Sequence, residues 1–290
     1  VDSLRVVLAT YEGAPELAPD DRALVPALAS IGIEATPAVW SDPSVDWSAF
    51  DAVIVRSCWD YHLRLGEFQS WLAQLDEAEV ATLNSPSLIR WNADKRYLLD
   101  LARRGVATIP TMVVSGRTAD DVARVAAAEG WSRVVIKPAV SASGYETYAL
   151  DAPFDPGATA IAGRVASLGD TLVQPFAPEV PRDGEYSFTF LDGEFSHATI
   201  KRAAPTEFRV QTEHGGSVAA IEPPAALVTQ AAAVLRALPE VPLYARVDGI
   251  ARESAFLLME LELIEPNLFL ELSAGADQRF ARAIERRLKK

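Results

Sequence analysis

Short apolar runs alternate with stretches of helical spacing over the first ninety residues of the chain. Leu4–Thr10 (LRVVLAT) is a compact apolar run that suits a strand buried on both faces. Asp21–Ile31 carries apolar residues at helical spacing. Ile33–Val39 and Ala52–Arg56 predict two more strands. Glu67–Glu77 predicts a helix with Phe68, Trp71, Leu72 and Leu75 on one face. Strand and helix in turn predict a parallel α/β layer. Beyond it, Asn92–Arg104 predicts a helix closed by Gly105, and Asp120–Glu129 another. Thr111–Val114, Arg133–Lys137 and Thr171–Phe176 predict strands, and a small-residue loop after Lys137 leads to a returning strand that ends at Leu150. Glu185–Leu191 and Glu194–Ile200 predict a hairpin across Asp192-Gly193. Ala225–Leu238 is a long apolar helix, and Phe269–Leu288 a closing one.

A second hairpin, Leu243–Ile250 with Ala255–Pro266, interrupts its own apolar pattern. Alternate residues of a strand share a face, so Glu260 and Glu262 point the same way. Tyr244, Arg246 and Asp248 likewise share one face of the preceding strand. A turn at Arg252–Glu253 predicts Arg246 opposite Glu260. Carboxylates crowded at the end of an apolar strand repel each other and lose hydration. A hard cation such as Mg²⁺ removes that cost and usually arrives with phosphates. Asp248, Glu260 and Glu262 are therefore candidate metal ligands with Arg246 beside them. A salt-bridged edge hairpin on a solvated face is the equally open alternative.

Charge changes the picture in one respect. The net charge is −13 and the pI about 4.8, which argues against nucleic acid as a partner. Yet Lys137, Lys201, Arg202, Arg209 and Arg246 form a local basic group in an acidic protein. Lys137 precedes Ser141-Ala142-Ser143-Gly144, a small-residue loop whose backbone N–H groups could cradle phosphate. Taken singly, that loop also reads as a plain turn, and Lys95 as a helix-surface lysine. Arg56, Ser57, Trp59, Asp60 and Tyr61 lie at the carboxyl end of a strand, where α/β sheets hold ligands. A packed loop is the alternative there too. No GxGxxG, GxxxxGK[ST] or GxSxG motif occurs, and the scattered His62, His197 and His214 have no zinc spacing. The single cysteine, Cys58, excludes an internal disulfide and fits a reducing compartment. No stretch is long and apolar enough to span a bilayer, and the start lacks a signal-peptide layout, so a cytoplasmic location without membrane contact is expected.

The order of these pieces resembles the ATP-grasp superfamily from about Asn92 to Leu272. Asn92-Ala93-Asp94-Lys95 is similar to that family's first ATP lysine, and VVIKP to the second, Lys137. The resemblance implies that Ser141, Ser143 and Gly144 cover the phosphates. Gln174, Phe176 and Ala177 would then hold adenine, and Glu185 the ribose. It makes Asp248, Glu260 and Glu262 ligands for Mg²⁺, expected as two ions, and Arg246 the arginine on the transferred phosphate, helped by Lys201 or Arg202. Many relatives carry Glu in place of Gln174 and Asn in place of Glu262; both replacements keep an acceptor oxygen. The implied fold is α/β (α+β): a Rossmann-like parallel unit (1–92), a central lid (93–173) and an antiparallel-sheet unit (174–290). RSCWDYH and LLMELELIEPNLFLEL are similar to the glutathione-synthetase-like branch, and within it to ring-closing ligases. That implies activation of a small amino-acid carboxylate as an acyl phosphate, with closure of O-ureido-D-serine on itself. Intermolecular joining of two substrates and a non-catalytic ATP-binding module remain the alternatives. Arg56, Ser57, Asp60, Tyr61, Arg209 and Asn267 are expected near the substrate. Ser141–Gly144 and 205–216 are expected to close over it, and family habit implies a homodimer.

Overall fold

A computed structural model describes residues 3–205, 207–210 and 215–289 and builds them on three sheets. The first is parallel, with strands β1 (Leu4–Thr10), β2 (Ile33–Val39), β3 (Ala52–Ser57) and β4 (Thr82–Leu83) in the order β2-β1-β3-β4. The strand period divides β1 between two cores. Val6 and Leu8 face α2 (Leu24–Ala29) and the chain's last helix, while Val7 and Ala9 face α3 (Leu65–Glu77) through Phe68, Trp71 and Leu72. The helix expected over Asp21–Ile31 is instead two, α1 (Pro19–Arg22) and α2. Pro26 cannot sit in a helix interior, and starting α2 at Leu24 puts it in a first turn, where no N–H is needed.

The expected helix over Asn92–Arg104 is also split, into α4 (Pro86–Asn92) and α5 (Tyr97–Arg103), the latter closed by Gly105 at φ 86°. Between them the Lys95 N–H leaves the helical pattern and donates to the Ala139 carbonyl at 2.8 Å. That bond ties the break to the end of the second sheet. This sheet is antiparallel: β5 (Met112–Val114), β6 (Arg133–Pro138), β7 (Tyr148–Asp151) and β8 (Thr171–Pro175), in the order β5-β8-β6-β7. Helices α6 (Ala119–Ala128) and α7 (Pro156–Ser167) cover one face of it. No pattern pointed to α7, whose buried residues are small, yet Asp155 caps it and Pro156 opens it.

After α8 (Glu179–Asp183) comes a five-stranded antiparallel sheet. Its strands are β9 (Glu185–Leu191), β10 (Glu194–Arg202), β11 (Ser217–Ile221), β12 (Tyr244–Arg252) and β13 (Ala255–Glu262), in the order β11-β10-β9-β12-β13. Helix α9 (Ala225–Arg236) packs on it through Leu227, Ala231 and Val234. The closing helix α10 (Ala276–Leu288) begins seven residues later than expected, because Phe269 and Gly275 both take positive φ. It buries Phe280 and Ile284 against the first sheet. The β12–β13 register also corrects the expected pairing: Arg246 lies opposite Glu262, and Asp248 opposite Glu260, with a bulge beyond Asp248. A two-residue shift leaves every side chain on its expected face.

Candidate active site

One cavity is lined from the second and third sheets and from the turn that follows β3. Its floor is the polar face of β12 and β13. Arg246 is 7% exposed and Asp248 1%, so their charges are answered by protein. The Arg246 guanidinium donates to Asp248 at 2.8–3.1 Å and also to Glu262. Lys201 Nζ lies 2.8 Å from Asp248 and 2.5 Å from Glu185. Lys95 Nζ donates to Glu260 at 2.7 Å and to the Ser141 carbonyl at 2.6 Å. Lys137, buried on the opposite wall, stands outside these pairs, and burial lowers its pKa.

The electrostatics follow from this sharing. Against the penalty of burial, Arg246 and Lys201 hold Asp248 well below the usual carboxylate range. Against the same penalty, Lys95 and then Lys137 hold Glu260 at about 2. Glu262 has only a share of Arg246, so burial and repulsion from Asp248 and Glu260 push it up to about 7. Among the described residues no three acidic, histidine or cysteine side chains converge to hold a metal as they stand. The expected triad shares one face, but each member is drawn aside by a cation. Its donor chemistry, carboxylate oxygen alone, still suits a hard divalent ion rather than zinc.

Most residues singled out in the sequence meet here. Lys95, Lys137, Ser141, Ser143, Gly144, Gln174, Phe176, Ala177, Glu185, Lys201, Arg209, Arg246, Asp248, Glu260 and Glu262 all line the cavity, as do Tyr61 and Asn267. Gln174 donates to the Thr111 hydroxyl at 2.9 Å, and Arg209 is paired with Glu207 at 2.7 Å. Four residues do not join them. Arg202 is exposed and donates to the Asp183 carbonyl, because neighbours on β10 face opposite ways and Lys201 takes the cavity side. Arg56 is fully buried beneath the cavity, paired with Asp21 at 2.8 Å. Ser57 donates to the same Asp21, and Asp60 accepts from the Trp40 indole N–H at 2.8 Å. None of these three lines the cavity. His214 and part of the expected covering stretch 205–216, namely Thr206 and Gln211–His214, lie outside the described residues.

Sequence reasoning passed over Glu265, which lines the cavity three residues past β13. Burial and the charge of Glu262 push its carboxyl up to about 8 despite Lys95. The strand expected over Ala255–Pro266 put Glu265 on the face opposite Glu260 and Glu262, but the strand ends at Glu262 and the chain beyond it turns Glu265 into the cavity.

Three sheets, with paired lysines and an arginine–carboxylate floor at their junction, define an ATP-grasp ligase. The structure of the ATP-grasp ligase PsnB with a minimal precursor, Mg and ADP covers all of both chains at a TM-score of 0.67 and 16% identity, which speaks for the fold alone. Residues 6–84 match the family described as D-cycloserine synthetase DcsG, N-terminal domain. The cycloserine biosynthesis protein DcsG of Streptomyces lavendulae is 34% identical over 284 residues, 92% of this chain and 93% of that one. The crystal structure of D-cycloserine synthetase DcsG gives a TM-score of 0.89 at 30% identity, over 98% of this chain and 99% of that one. The chain belongs to the DcsG family of ATP-grasp ligases.

Proposed function

We propose that this ligase uses ATP and Mg²⁺ to close O-ureido-D-serine into the D-cycloserine ring. The observation that carries this reading is the 34% identity to a cycloserine biosynthesis protein across 92% of the chain. That span takes in the N-terminal layer as well as the nucleotide side of the cavity. Lys95, Lys137 and the Ser141–Gly144 backbone hold the phosphates, with Gln174, Phe176 and Ala177 on adenine and Glu185 on ribose. Asp248, Glu260 and Glu262 would hold Mg²⁺, which supplies positive charge to the phosphates during transfer. The cations now spent on these carboxylates, Lys95, Lys201 and Arg246, are then free to face phosphate oxygens, with Arg209 beside them.

The γ-phosphoryl passes to the substrate carboxylate, giving ADP and an acyl phosphate. The oxygen-bound ureido nitrogen then attacks the activated carbonyl, and phosphate leaves as a five-membered ring closes. The carbamoyl group on that nitrogen must afterwards be lost to water, since the product ring nitrogen is bare. A tethered nucleophile needs no second binding event, and a closed cavity protects the acyl phosphate from hydrolysis. The test is ADP release with O-ureido-D-serine and with amino acids singly and in pairs, products being read by mass and Glu260→Ala serving as control. Release that needs O-ureido-D-serine alone and yields the ring supports the reading. Release that needs two substrates makes the protein an intermolecular ligase. Equal ATP hydrolysis by wild type and Glu260→Ala refutes the metal-site assignment.

A further inference from the structure

We propose that the Glu265 carboxylate anchors the ammonium group of the amino-acid substrate, an assignment that rests on the ligase reading above. Glu265 sits in a segment whose backbone is fixed residue by residue. The Ile264 carbonyl accepts from the Tyr244 hydroxyl at 2.8 Å, and the Glu265 carbonyl from the Trp59 indole N–H at 3.1 Å. The Pro266 carbonyl accepts from Arg56 at 2.7 Å, and the Asn267 carbonyl from Arg246 at 2.9 Å. Asp20 takes the N–H groups of Leu268 and Leu270. Donors from the first and third sheets thus hold consecutive peptide groups, and the Glu265 side chain is left facing the cavity. So complete a mooring is what positions one side chain to within a fraction of an ångström.

The charges on the cavity wall select this residue. Glu185, Asp248, Glu260 and Glu262 each have a lysine or arginine partner. Among the described residues Glu265 has none, although it is largely out of solvent and close enough to Glu262 to be repelled by it. A buried carboxylate without a counter-charge is costly unless a ligand supplies one. Tyr61 and Trp59 line the same end of the cavity, and the buried Tyr61 hydroxyl feels Glu265 before any other charge. A carboxylate flanked by aromatic rings suits a primary ammonium ion. The location suits an α-amino acid as well. Its ammonium lies two bonds from the carboxylate that accepts phosphate. Glu265 is likewise close in the fold to Arg246, through the Asn267 carbonyl that Arg246 holds.

The experiment compares wild type and Glu265→Gln on O-ureido-D-serine and on its des-amino analogue, 3-(ureidooxy)propanoate, with the KM for ATP and the Mg²⁺ dependence measured in parallel. Wild type should favour the amino compound by about 100-fold in kcat/KM, the loss typical of a charged hydrogen-bond pair. Glu265→Gln should raise KM for O-ureido-D-serine by about the same factor and no longer distinguish the two compounds, with both ATP and Mg²⁺ parameters unchanged. An unchanged KM with full discrimination overturns the assignment. So does a fall in kcat alone with discrimination kept, which would make Glu265 a base, or a changed Mg²⁺ dependence, which would make it a ligand. If Glu265→Gln does not fold, Glu265→Asp carries the same comparison with a shortened anchor and a reduced preference. Folded wild type that turns over neither compound overturns the ring-closing reading and this assignment together, whereas the other outcomes strike the assignment alone.

Discussion

Replacing Asp21 by Asn leaves Arg56 charged, fully buried and without its ion-pair partner. Arg56 is 0% exposed and the Asp21 side chain 5%, so no water screens the pair. The guanidinium donates to Asp21 at 2.8 Å and to the Pro266 carbonyl at 2.7 Å, and lies 4.7 Å above the Tyr244 ring. Burial pushes the Asp21 carboxyl above its ordinary value even though Arg56 and Ser57 both donate to it. An arginine does not give up its proton, so the Arg56 guanidinium stays charged whatever replaces Asp21. Breaking such a pair from one side costs about 3–5 kcal/mol, against a total stability of about 5–15 kcal/mol. That corresponds to a fall in Tm of roughly 10 °C. Removing both charges with Asp21→Asn and Arg56→Met should recover most of the loss, since a buried pair and an apolar substitute are often near equal. Urea melts of the two single variants and the double variant measure this, and KM values add a functional reading. Loss of the Arg56 hold on Pro266 should raise KM for the amino-acid substrate several-fold and leave KM for ATP alone. An Asp21→Asn penalty below about 1 kcal/mol, or one that persists undiminished without Arg56, would refute the argument.

Three further outcomes follow from the same charges. Lys137→Met should raise KM for ATP by at least about 10-fold while leaving Tm equal or higher, because it removes a buried cation that stands outside the ion pairs; nucleotide titration and thermal melts check both halves. Glu260→Ala should cut ADP release by about 100-fold or more and cost about 1–3 kcal/mol of stability, since Lys95 loses its partner at 2.7 Å; coupled kinetics and urea melts read the two effects. Burial and the neighbouring Glu271 carboxyl raise Asp20 from 3.8 to about 7. The folded chain then keeps a proton that the unfolded chain has lost over that interval, so this group makes stability fall as pH climbs from about 4 to 7. Asp20→Asn should flatten that slope in urea midpoints taken at pH 5 and 8.

Much of this was legible because two periodicities carried it. The two faces of β1 and the polar face of β12 and β13 follow from alternation alone, which fixed Arg246, Asp248, Glu260 and Glu262 on one side whatever the register. The register itself was misjudged by two residues, since the bulge beyond Asp248 leaves no mark in the pattern. Alternation also separates Lys201 from Arg202, a distinction the sequence offered and the family resemblance blurred. Arg56 could not have been read correctly. Its partners Asp21 and Pro266 are 35 and 210 residues away, and only the docking of α1 and the segment after β13 onto β3 turns a strand-end arginine into a core one. Glu265 escaped for a related reason: the role proposed for it rests on its having no ion-pair partner among the described residues, which is a property of the folded cavity.

The ligand-free cavity is held together by its own future contacts. Lys95, Lys201 and Arg246 neutralise Glu260, Asp248 and Glu262, and those three carboxylates do not converge while they are so held. Mg²⁺ and the triphosphate carry opposite charges and would enter as a pair. The ion takes over the carboxylates and the phosphates take over the cations, so neither set is left buried and uncompensated at any stage. Either ligand alone would strand one set. ATP without Mg²⁺ would draw the cations away from the buried Asp248 and the half-buried Glu260 and Glu262, and Mg²⁺ without ATP would strand three cations. Binding of the two is therefore strongly cooperative on this argument, and by linkage each should tighten the other by the same factor. Lys137 and Glu265 are the exceptions that fit the scheme. Among the described residues neither has an ion-pair partner, and in the function proposed above each would meet a charge that the substrates bring: phosphate for Lys137 and ammonium for Glu265.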